Sequence, residues 1–259
     1  MAASSEAVGR KRSDVDKPLL PLSGERVFVT GQTGSGKTAF IVWLLARMTQ
    51  SPVMIYDTKE EDKYLTLPDS LLVSSQAEAD DAFHNAEYDY IIVRPPVAET
   101  SEPEVMDAYL LHHYEAYSNC VAVVDEAYQF HRGGRAFPGL IALMTRGRAR
   151  GLTTIMCTQR PAWISKFLIS ESQKFYVFYL MLSDDRKRMD DIVPDFSTLP
   201  DPPKFGFYFL KAGERKATKY SGVKLDKMLN VGYTDEVPEP LTPSDLQGPG
   251  PRKRGVVWL

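Results

Sequence analysis

The chain has 259 residues, of which 43% are hydrophobic and 25% charged, enough for one large globular domain or one domain with a small appendage. The formal net charge of −3 excludes a uniformly basic nucleic-acid-binding protein, so any contact with a polyanion must come from local patches. No apolar run reaches the roughly 18 residues of a membrane-spanning helix, and the first twenty residues lack the apolar core typical of a signal peptide.

The two ends of the chain differ from its middle in composition. We expect residues 1–22 to form a flexible arm and residues 23–232 to form the folded domain. The remaining residues, 233–259, contain five prolines and close on the basic and apolar stretch PRKRGVVWL, which predicts an extended, poorly packed tail.

Between these ends, apolar runs typical of strands alternate with helical patterns. Strands are predicted at 26–30, 52–58, 88–94, 120–127, 152–159, 174–181, 205–210 and 215–221. Helices are predicted at 37–48, 76–86, 102–117 and 137–150, and Ser101 and Glu104 have the spacing of a capping box. Continuous apolar strands separated by helices indicate a three-layer α/β fold with a mainly parallel sheet, and the closely spaced last strands predict antiparallel additions at one edge.

A glycine-rich loop, GQTGSGKT, follows the first predicted strand. The spacing Gly31-x-x-x-x-Gly36-Lys37-Thr38 fits the phosphate-binding loop, and its position between a strand and a helix is the context that this motif requires. Glycines let backbone amides approach an anion, Lys37 brings a charge to the β- and γ-phosphates, and the Thr38 hydroxyl can ligate Mg²⁺. A chance glycine-rich turn is the alternative. The predicted nucleotide-binding residues are Gly31, Gln32, Thr33, Gly34, Ser35, Gly36, Lys37 and Thr38.

Two acids, Asp125 and Glu126, end the most hydrophobic strand. At the carboxyl end of a parallel strand beside the phosphate loop, Asp125 is expected to hold Mg²⁺ through water. Glu126 is a candidate general base that polarises water against the γ-phosphate, unless it merely starts the next turn. The guanine-reading pattern Asn-Lys-x-Asp does not occur, and two strand-like runs separate the loop from Asp125. This layout indicates ATP as the nucleotide and the P-loop NTPase branch with an additional strand and a catalytic glutamate.

The stretch RGRARGLTTIMCTQRP places polar residues at both ends of one strand. Gln159 ends the strand near the phosphates, where its amide can contact the γ-phosphate or the attacking water. Arg146, Arg148 and Arg150 precede the strand, and seven strand residues put them ~20 Å from their own nucleotide. A catalytic arginine among them must therefore act on a neighbouring subunit, which predicts a ring or filament. A solvated basic turn and a contact with a polyanion remain the alternatives.

The cysteines and histidines show no pattern of a metal site. Cys120 and Cys157 are expected to be buried free thiols in a reducing compartment, at opposite ends of neighbouring strands and too far apart for a disulfide. The histidines are expected mostly at the surface; they are His84, His112, His113 and His131.

Taken together, these motifs resemble the FtsK–HerA superfamily of ring-forming DNA-pumping ATPases. The matching segments within about residues 22–215 are GQTGSGKT, YDTK, IIVRPP, VVDEA and RARGLTTIMCTQRP. On this match Arg148 takes the position of the arginine finger and Gln159 that of the sensor. The chain most resembles the genome-packaging ATPases of tailless viruses with an internal membrane.

The resemblance implies a hexameric ring that hydrolyses ATP with Mg²⁺ and threads double-stranded DNA into a preformed capsid, in the host cytoplasm or at the packaging vertex of the virion. Residues 129–137, QFHRGGRAF, are the candidate lumen loop, with an ordinary surface loop as the alternative. The tail at 233–259 either docks on a capsid, portal or membrane partner or has no fixed structure. Three other functions stay open: a small-molecule P-loop kinase, a nucleotide-gated capsid-assembly protein, and an assembly ATPase of the filamentous-phage type.

Overall fold

The structure is a computed structural model that describes residues 18–222. The predicted tail at 233–259 lies outside these residues, and the predicted arm at 1–22 overlaps them only at 18–22. Leu19 and Leu20 are buried there, and their carbonyl oxygens accept hydrogen bonds from the Tyr176 hydroxyl and the Lys174 ammonium. Packing therefore begins before residue 23.

Strands and helices alternate along the chain as the apolar pattern predicts. The strands are β1 (Arg26–Thr30), β2 (Val53–Tyr56), β3 (Ser70–Val73), β4 (Tyr90–Val93), β5 (Val121–Val124), β6 (His131–Arg132), β7 (Arg135–Ala136), β8 (Thr153–Thr158), β9 (Lys174–Val177), β10 (Phe207–Lys211) and β11 (Thr218–Tyr220). The helices are α1 (Lys37–Leu45), α2 (Gln76–Asn85), α3 (Val97–Thr100), α4 (Pro103–Ala116), α5 (Pro138–Arg146), α6 (Lys166–Ser170) and α7 (Ser183–Asp190).

Nine of the strands form one sheet, in the order β11-β10-β9-β1-β8-β5-β2-β4-β3. The seven strands from β9 to β3 are parallel to their neighbours, whereas β10 and β11 are added antiparallel at one edge. The predicted fold class, a mainly parallel sheet with antiparallel additions at one edge, is confirmed.

Helices cover both faces of the sheet because successive residues of its strands point to opposite sides. Val27 and Val29 of β1 belong to one buried cluster with α1, and Phe28 belongs to a second cluster with residues of α4 and α5. Residues Phe40–Leu45 of α1 are completely buried, so replacing Leu44 by alanine is expected to cost about 2–5 kcal/mol of folding free energy. Strand β1 is thus packed between helices on both faces of the sheet.

The strand inserted between β1 and β5 is β8. In sequence, β2 and β4 separate the phosphate loop from Asp125, but in space both lie beyond β5. The additional strand of this layout is thus β8, which Gln159 directly follows.

Several local expectations were wrong. The capping box at Ser101 and Glu104 does not form, because Ser101 follows the short helix α3, where its hydroxyl donates to the Val97 carbonyl oxygen at 2.8 Å. Glu102 is instead the N-cap of α4, and Pro103 is its first residue. The sequence analysis also missed β3, the β6–β7 hairpin and the helices α3, α6 and α7.

The expectation that the histidines lie mostly at the surface fails for His113, which is fully buried. Its Nδ1 lies 2.9 Å from the Tyr56 hydroxyl and its Nε2 lies 3.5 Å from Cys120 Sγ. Burial lowers the pKa of His113 to about 3. Helix α4 places this residue on the face that packs against the sheet.

The two cysteines follow the prediction. Cys120 directly precedes β5, and Cys157 lies near the end of the neighbouring strand β8. Both thiols are free and buried. None of the helices between residues 18 and 222 combines the length and apolarity needed to cross a bilayer.

Candidate active site

The carboxyl ends of β1, β8 and β5 meet at one edge of the sheet. Thr30 is paired with Thr158, and Val124 with Met156, so the residues that follow these strands lie close together. The structure therefore brings the phosphate loop, the two acids and Gln159 to one site.

The phosphate loop depends on glycine at its two ends. A Cβ on Gly31 would lie 2.4 Å from Phe178 Cβ, a distance that no real side chain tolerates. Gly36 has φ 104° and caps α1. The Gln32 amide donates to the Tyr179 carbonyl oxygen at 2.8 Å, which fastens the loop to the chain after β9. This close packing leaves no room for larger residues.

Lys37 is the first residue of α1 and lies almost completely inside the site. Its side chain folds back over the loop, where the ammonium donates to the Gln32 carbonyl oxygen at 3.2 Å. Burial lowers the pKa of Lys37, while the negative charges of Glu126 and Asp125 oppose that shift. The ammonium and the amide-rich start of α1 therefore act on the same small volume, as a phosphate-binding site requires.

Asp125 is buried at the end of β5, and its Oδ2 has no hydrogen-bond partner among the residues that the structure describes. Burial, together with the negative charges of Asp57 and Glu126, raises the pKa of Asp125 to about 7. A buried carboxylate oxygen without a protein donor, beside a phosphate loop, suits a divalent cation. Asp125 and the partly buried Thr38 are thus the residues that fit Mg²⁺.

Glu126 turns its side chain into the site. Its backbone lies in the left-handed region with φ 62° and ψ 60°, which is uncommon for a residue other than glycine. Its Oε1 accepts from the Thr158 hydroxyl at 3.1 Å and from the Gln159 amide at 2.9 Å, and its Oε2 bonds to the Lys59 ammonium. Such a network of partners argues against a residue that merely starts a turn.

Gln159 connects the phosphate loop to the acids. Its side-chain Oε1 accepts from the Thr33 hydroxyl at 2.5 Å, and its backbone amide donates to Glu126. Gln159 therefore contacts both the phosphate loop and the Glu126 carboxylate.

The three arginines lie at the opposite end of β8. Arg150 is tied to its own chain, since its guanidinium donates to the carbonyl oxygens of Glu115 at 2.9 Å and Tyr117 at 3.2 Å. Arg146 and Arg148 are exposed, and Arg148 passes beside Gly24, just before β1. The six residues of β8 keep them ~20 Å from the phosphate loop of the same chain.

The predicted lumen loop forms a short hairpin, β6–β7, at the same edge as the active site. Its tip, Gly133 and Gly134, has positive φ at both residues. Arg132 pairs with Glu104 at 2.6 Å, and His131 Nε2 accepts from the Ser165 amide at 3.3 Å. Strand β6 of the hairpin therefore contacts two other parts of the chain, helix α4 through Glu104 and the residue before α6, Ser165.

The sequence analysis assigned no role to Asp57, Lys59 or Arg94. Lys59 reaches Glu126, and Arg94 Nε donates to Asp57 Oδ2 at 2.7 Å. The signal that was available is the position of these residues, directly after β2 and β4, within the segments YDTK and IIVRPP.

Comparison with known sequences finds one matching protein family and one related protein. Residues 24–160 match the protein family described as AAA domain. The DNA packaging ATPase P9 of Enterobacteria phage PRD1 is 30% identical over 187 residues, which cover 71% of this chain and 77% of P9.

Two solved structures share the fold. The genome packaging NTPase B204 from Sulfolobus turreted icosahedral virus 2, in complex with ATP-gammaS, has a TM-score of 0.61 and 16% identity, over 77% of this chain and 98% of that one. The DNA-packaging ATPase B204 from Sulfolobus Turreted Icosahedral Virus has a TM-score of 0.58 and 16% identity, over 78% of this chain and 98% of that one.

Proposed function

The chain belongs to the AAA-domain family and to the family of the phage PRD1 packaging ATPase P9, and we propose that it hydrolyses ATP to move double-stranded DNA into a viral capsid. The predicted resemblance to packaging ATPases is thereby confirmed, and the chain is a P-loop ATPase. The proposed role in DNA translocation follows from the relative P9, which is named as a DNA packaging ATPase.

The observation that carries the proposal is the position of Glu126, whose carboxylate bonds to the end of β8, the strand next to the one that leads into the phosphate loop. ATP would lie with its triphosphate along residues 31–38, where Lys37 neutralises charge on the β- and γ-phosphates. Mg²⁺ held by Thr38 and Asp125 would supply further positive charge to the phosphates. Glu126 would accept the proton of the water that attacks the γ-phosphate, and Gln159 would contact that phosphate or the water.

Arg148 is proposed to complete this site from a neighbouring subunit. Its exposed side chain and its distance from its own phosphate loop are what a residue acting in trans requires, whereas Arg150 is held by its own carbonyl contacts. A ring, which we propose to be a hexamer, gives every subunit one such neighbour. Such an assembly would surround the duplex and bind its phosphates without reading sequence.

The β6–β7 hairpin is the proposed DNA contact. It begins five residues after Glu126 and is fastened through His131 to the chain that follows Gln159. Movement of either residue in the active site would therefore reach the hairpin. A capsid or portal protein is the proposed docking partner, in the host cytoplasm or at the packaging vertex of the virion.

A small-molecule kinase would use the arginines at 146–150 as a mobile lid over the phosphates. Such a lid must lie at the carboxyl ends of the parallel strands, but Arg146 and Arg148 lie at the opposite end of β8.

The test is ATP hydrolysis by the purified chain with and without duplex DNA of several sequences. The proposal expects strong stimulation that is independent of sequence and that weakens with added salt. Hydrolysis that duplex DNA leaves unchanged at low salt would contradict DNA translocation. Stoichiometric transfer of phosphate to a small molecule would instead indicate a kinase.

A further inference from the structure

Phe205 lies beside the start of helix α1 but has no part in the proposed mechanism. A Cβ placed on Gly36, the N-cap of α1, would lie 3.3 Å from the Cβ of Phe205 and 3.4 Å from its Cδ1. The phenylalanine therefore lies against the phosphate loop, at the residue directly before Lys37. It is neither fully buried nor fully exposed.

The packing of the core does not account for an aromatic residue at this position. Among the residues that the structure describes, Phe205 belongs to neither buried cluster, whereas Phe207 and Phe209 of β10 belong to the cluster that contains α1. The backbone of Phe205 has φ 64°, in the left-handed region that glycine and asparagine adopt most readily. Strained backbone of this kind clusters at ligand sites.

The chain encloses the backbone of Phe205 from a second side. A Cβ on Gly222 would lie 2.5 Å from the Phe205 carbonyl oxygen and 2.7 Å from its Cβ, so a larger residue does not fit there. The ammonium of the exposed Lys204 lies 5.1 Å from the centre of the Phe205 ring. The aromatic ring is thus held at a fixed place beside the phosphate loop, with a positive charge next to it.

The strand order determines which end of ATP would meet Phe205. Asp125 and Glu126 follow β5, and Gln159 follows β8, so these residues lie on one side of β1. Strands β9 and β10 lie on the other side, and β10 is antiparallel, so it begins at the edge of the sheet that carries the site. With the γ-phosphate at the acids, the nucleoside leaves the loop on the side of Phe205.

We propose that Phe205 is the base-binding residue of this site and that its ring stacks on the purine of the bound ATP. Aromatic side chains stack on the π-face of a nucleobase without reading its edges. Lys204, beside the same ring, would add a positive charge near the nucleoside. The inference rests on ATP as the nucleotide of the phosphate loop and does not depend on DNA translocation.

The test is equilibrium binding of ATP and of inorganic tripolyphosphate, both with Mg²⁺, to the Phe205→Ala variant of the full chain. Tripolyphosphate offers the phosphates without a base. We expect the Kd for ATP to rise about tenfold, as for the loss of one stack between a base and an aromatic ring, and the Kd for tripolyphosphate to stay unchanged. GTP should weaken by a similar factor, because a π-face does not distinguish the two purines.

Steady-state hydrolysis gives a second measurement. The KM for ATP should rise in Phe205→Ala while kcat stays unchanged, because the phosphate loop and the acids are intact. Phe205→Tyr keeps the ring and should bind ATP as the wild type does. Phe167→Ala removes a phenylalanine of α6 that is 52% exposed and should change neither Kd. If Phe205→Ala does not fold, Phe205→Gly, which suits the positive φ, is measured with the same expectation.

Equal weakening of ATP and tripolyphosphate would overturn the proposal, because Phe205 would then only support the phosphate loop. Unchanged binding of both would overturn it as well. So would a loss of ATP binding in Tyr179→Ala but not in Phe205→Ala, since Tyr179 is a second partly exposed aromatic residue beside the loop. Failure of the proposed function is a different result, namely wild-type hydrolysis that duplex DNA does not stimulate, whatever is measured at Phe205.

Discussion

The two ends of strand β8 differ in how completely one chain occupies them. At the carboxyl end, Lys37, Asp125 and Glu126 are buried charges; α1 places the lysine, and β5 places the two acids. At the amino end, Arg146 and Arg148 are exposed. Buried charges are costly unless other groups of the same site compensate them, whereas exposed arginines carry no such cost. The carboxyl end thus holds a nearly complete set of site residues from one chain, whereas the amino end carries the exposed arginines that we propose act on a neighbouring subunit.

The largest effect is expected where the site is complete. Glu126→Gln should lower ATP turnover about 10⁴-fold, because an amide of the same shape cannot accept a proton. ATP binding should remain, since the loop and Lys37 are unchanged. Steady-state hydrolysis and equilibrium nucleotide binding measure the two effects. The matched control is Asp62→Asn, which neutralises an acid that is 93% exposed and should change neither quantity.

At the amino end, Arg148→Ala should lower turnover about 10³-fold if it supplies the arginine finger. Arg146→Ala removes an exposed arginine two residues away and serves as the matched control. Arg150→Ala should reduce stability more than turnover, because it loses two bonds to backbone carbonyl oxygens. Equal losses of turnover for Arg146→Ala and Arg148→Ala would break the assignment of Arg148.

The link between the loop and the acid predicts a smaller effect. Gln159→Ala removes the contact with Thr33 but keeps the backbone amide that holds Glu126. Turnover should fall about 10²-fold with little change in ATP binding. Thr33→Val, which removes only the hydroxyl partner, should show a smaller fall. A loss of ATP binding that matches the loss of turnover would mean that Gln159 holds the nucleotide rather than senses it.

The smallest effect is a pH dependence of folding stability. It arises from His113, which belongs to neither end of β8. The folded state keeps His113 neutral with a pKa of about 3, below its ordinary 6.5, so the unfolded chain binds more protons between these values. Stability from this residue is complete above pH 6.5 and is lost as pH falls, at most ~1.4 kcal/mol per unit. Denaturant unfolding at pH 7 and pH 5 should show the loss. His113→Gln should reduce that slope, and His84→Gln at the surface should not.

The sequence predicts the carboxyl end well because its signals are local. Eight consecutive residues determine the phosphate loop, and Asp125 and Glu126 directly follow an apolar strand. Local spacing also placed the arginines and Gln159 at opposite ends of β8. These features need no knowledge of which strands are neighbours.

What the sequence could not predict depends on strand order and on burial. Lys59 meets Glu126 across 67 residues because turns after β2 and β5 face each other, and Asp57 meets Arg94 through the register of β2 and β4. His113 was placed at the surface because one polar residue on a helix does not reveal which face packs. The strand β3 has only four residues, of which only Val73 is buried, so its apolar pattern is weak.

The most direct test of the account is to mix two inactive variants. Arg148→Ala subunits keep Glu126, and Glu126→Gln subunits keep Arg148, so a mixed assembly should contain some sites with both residues intact. ATP hydrolysis should reappear on mixing and be greatest near equal proportions. If no mixing ratio restores hydrolysis although both variants assemble with the wild type, the neighbouring subunit does not supply the arginine, and the contrast between the two ends of β8 has been misinterpreted.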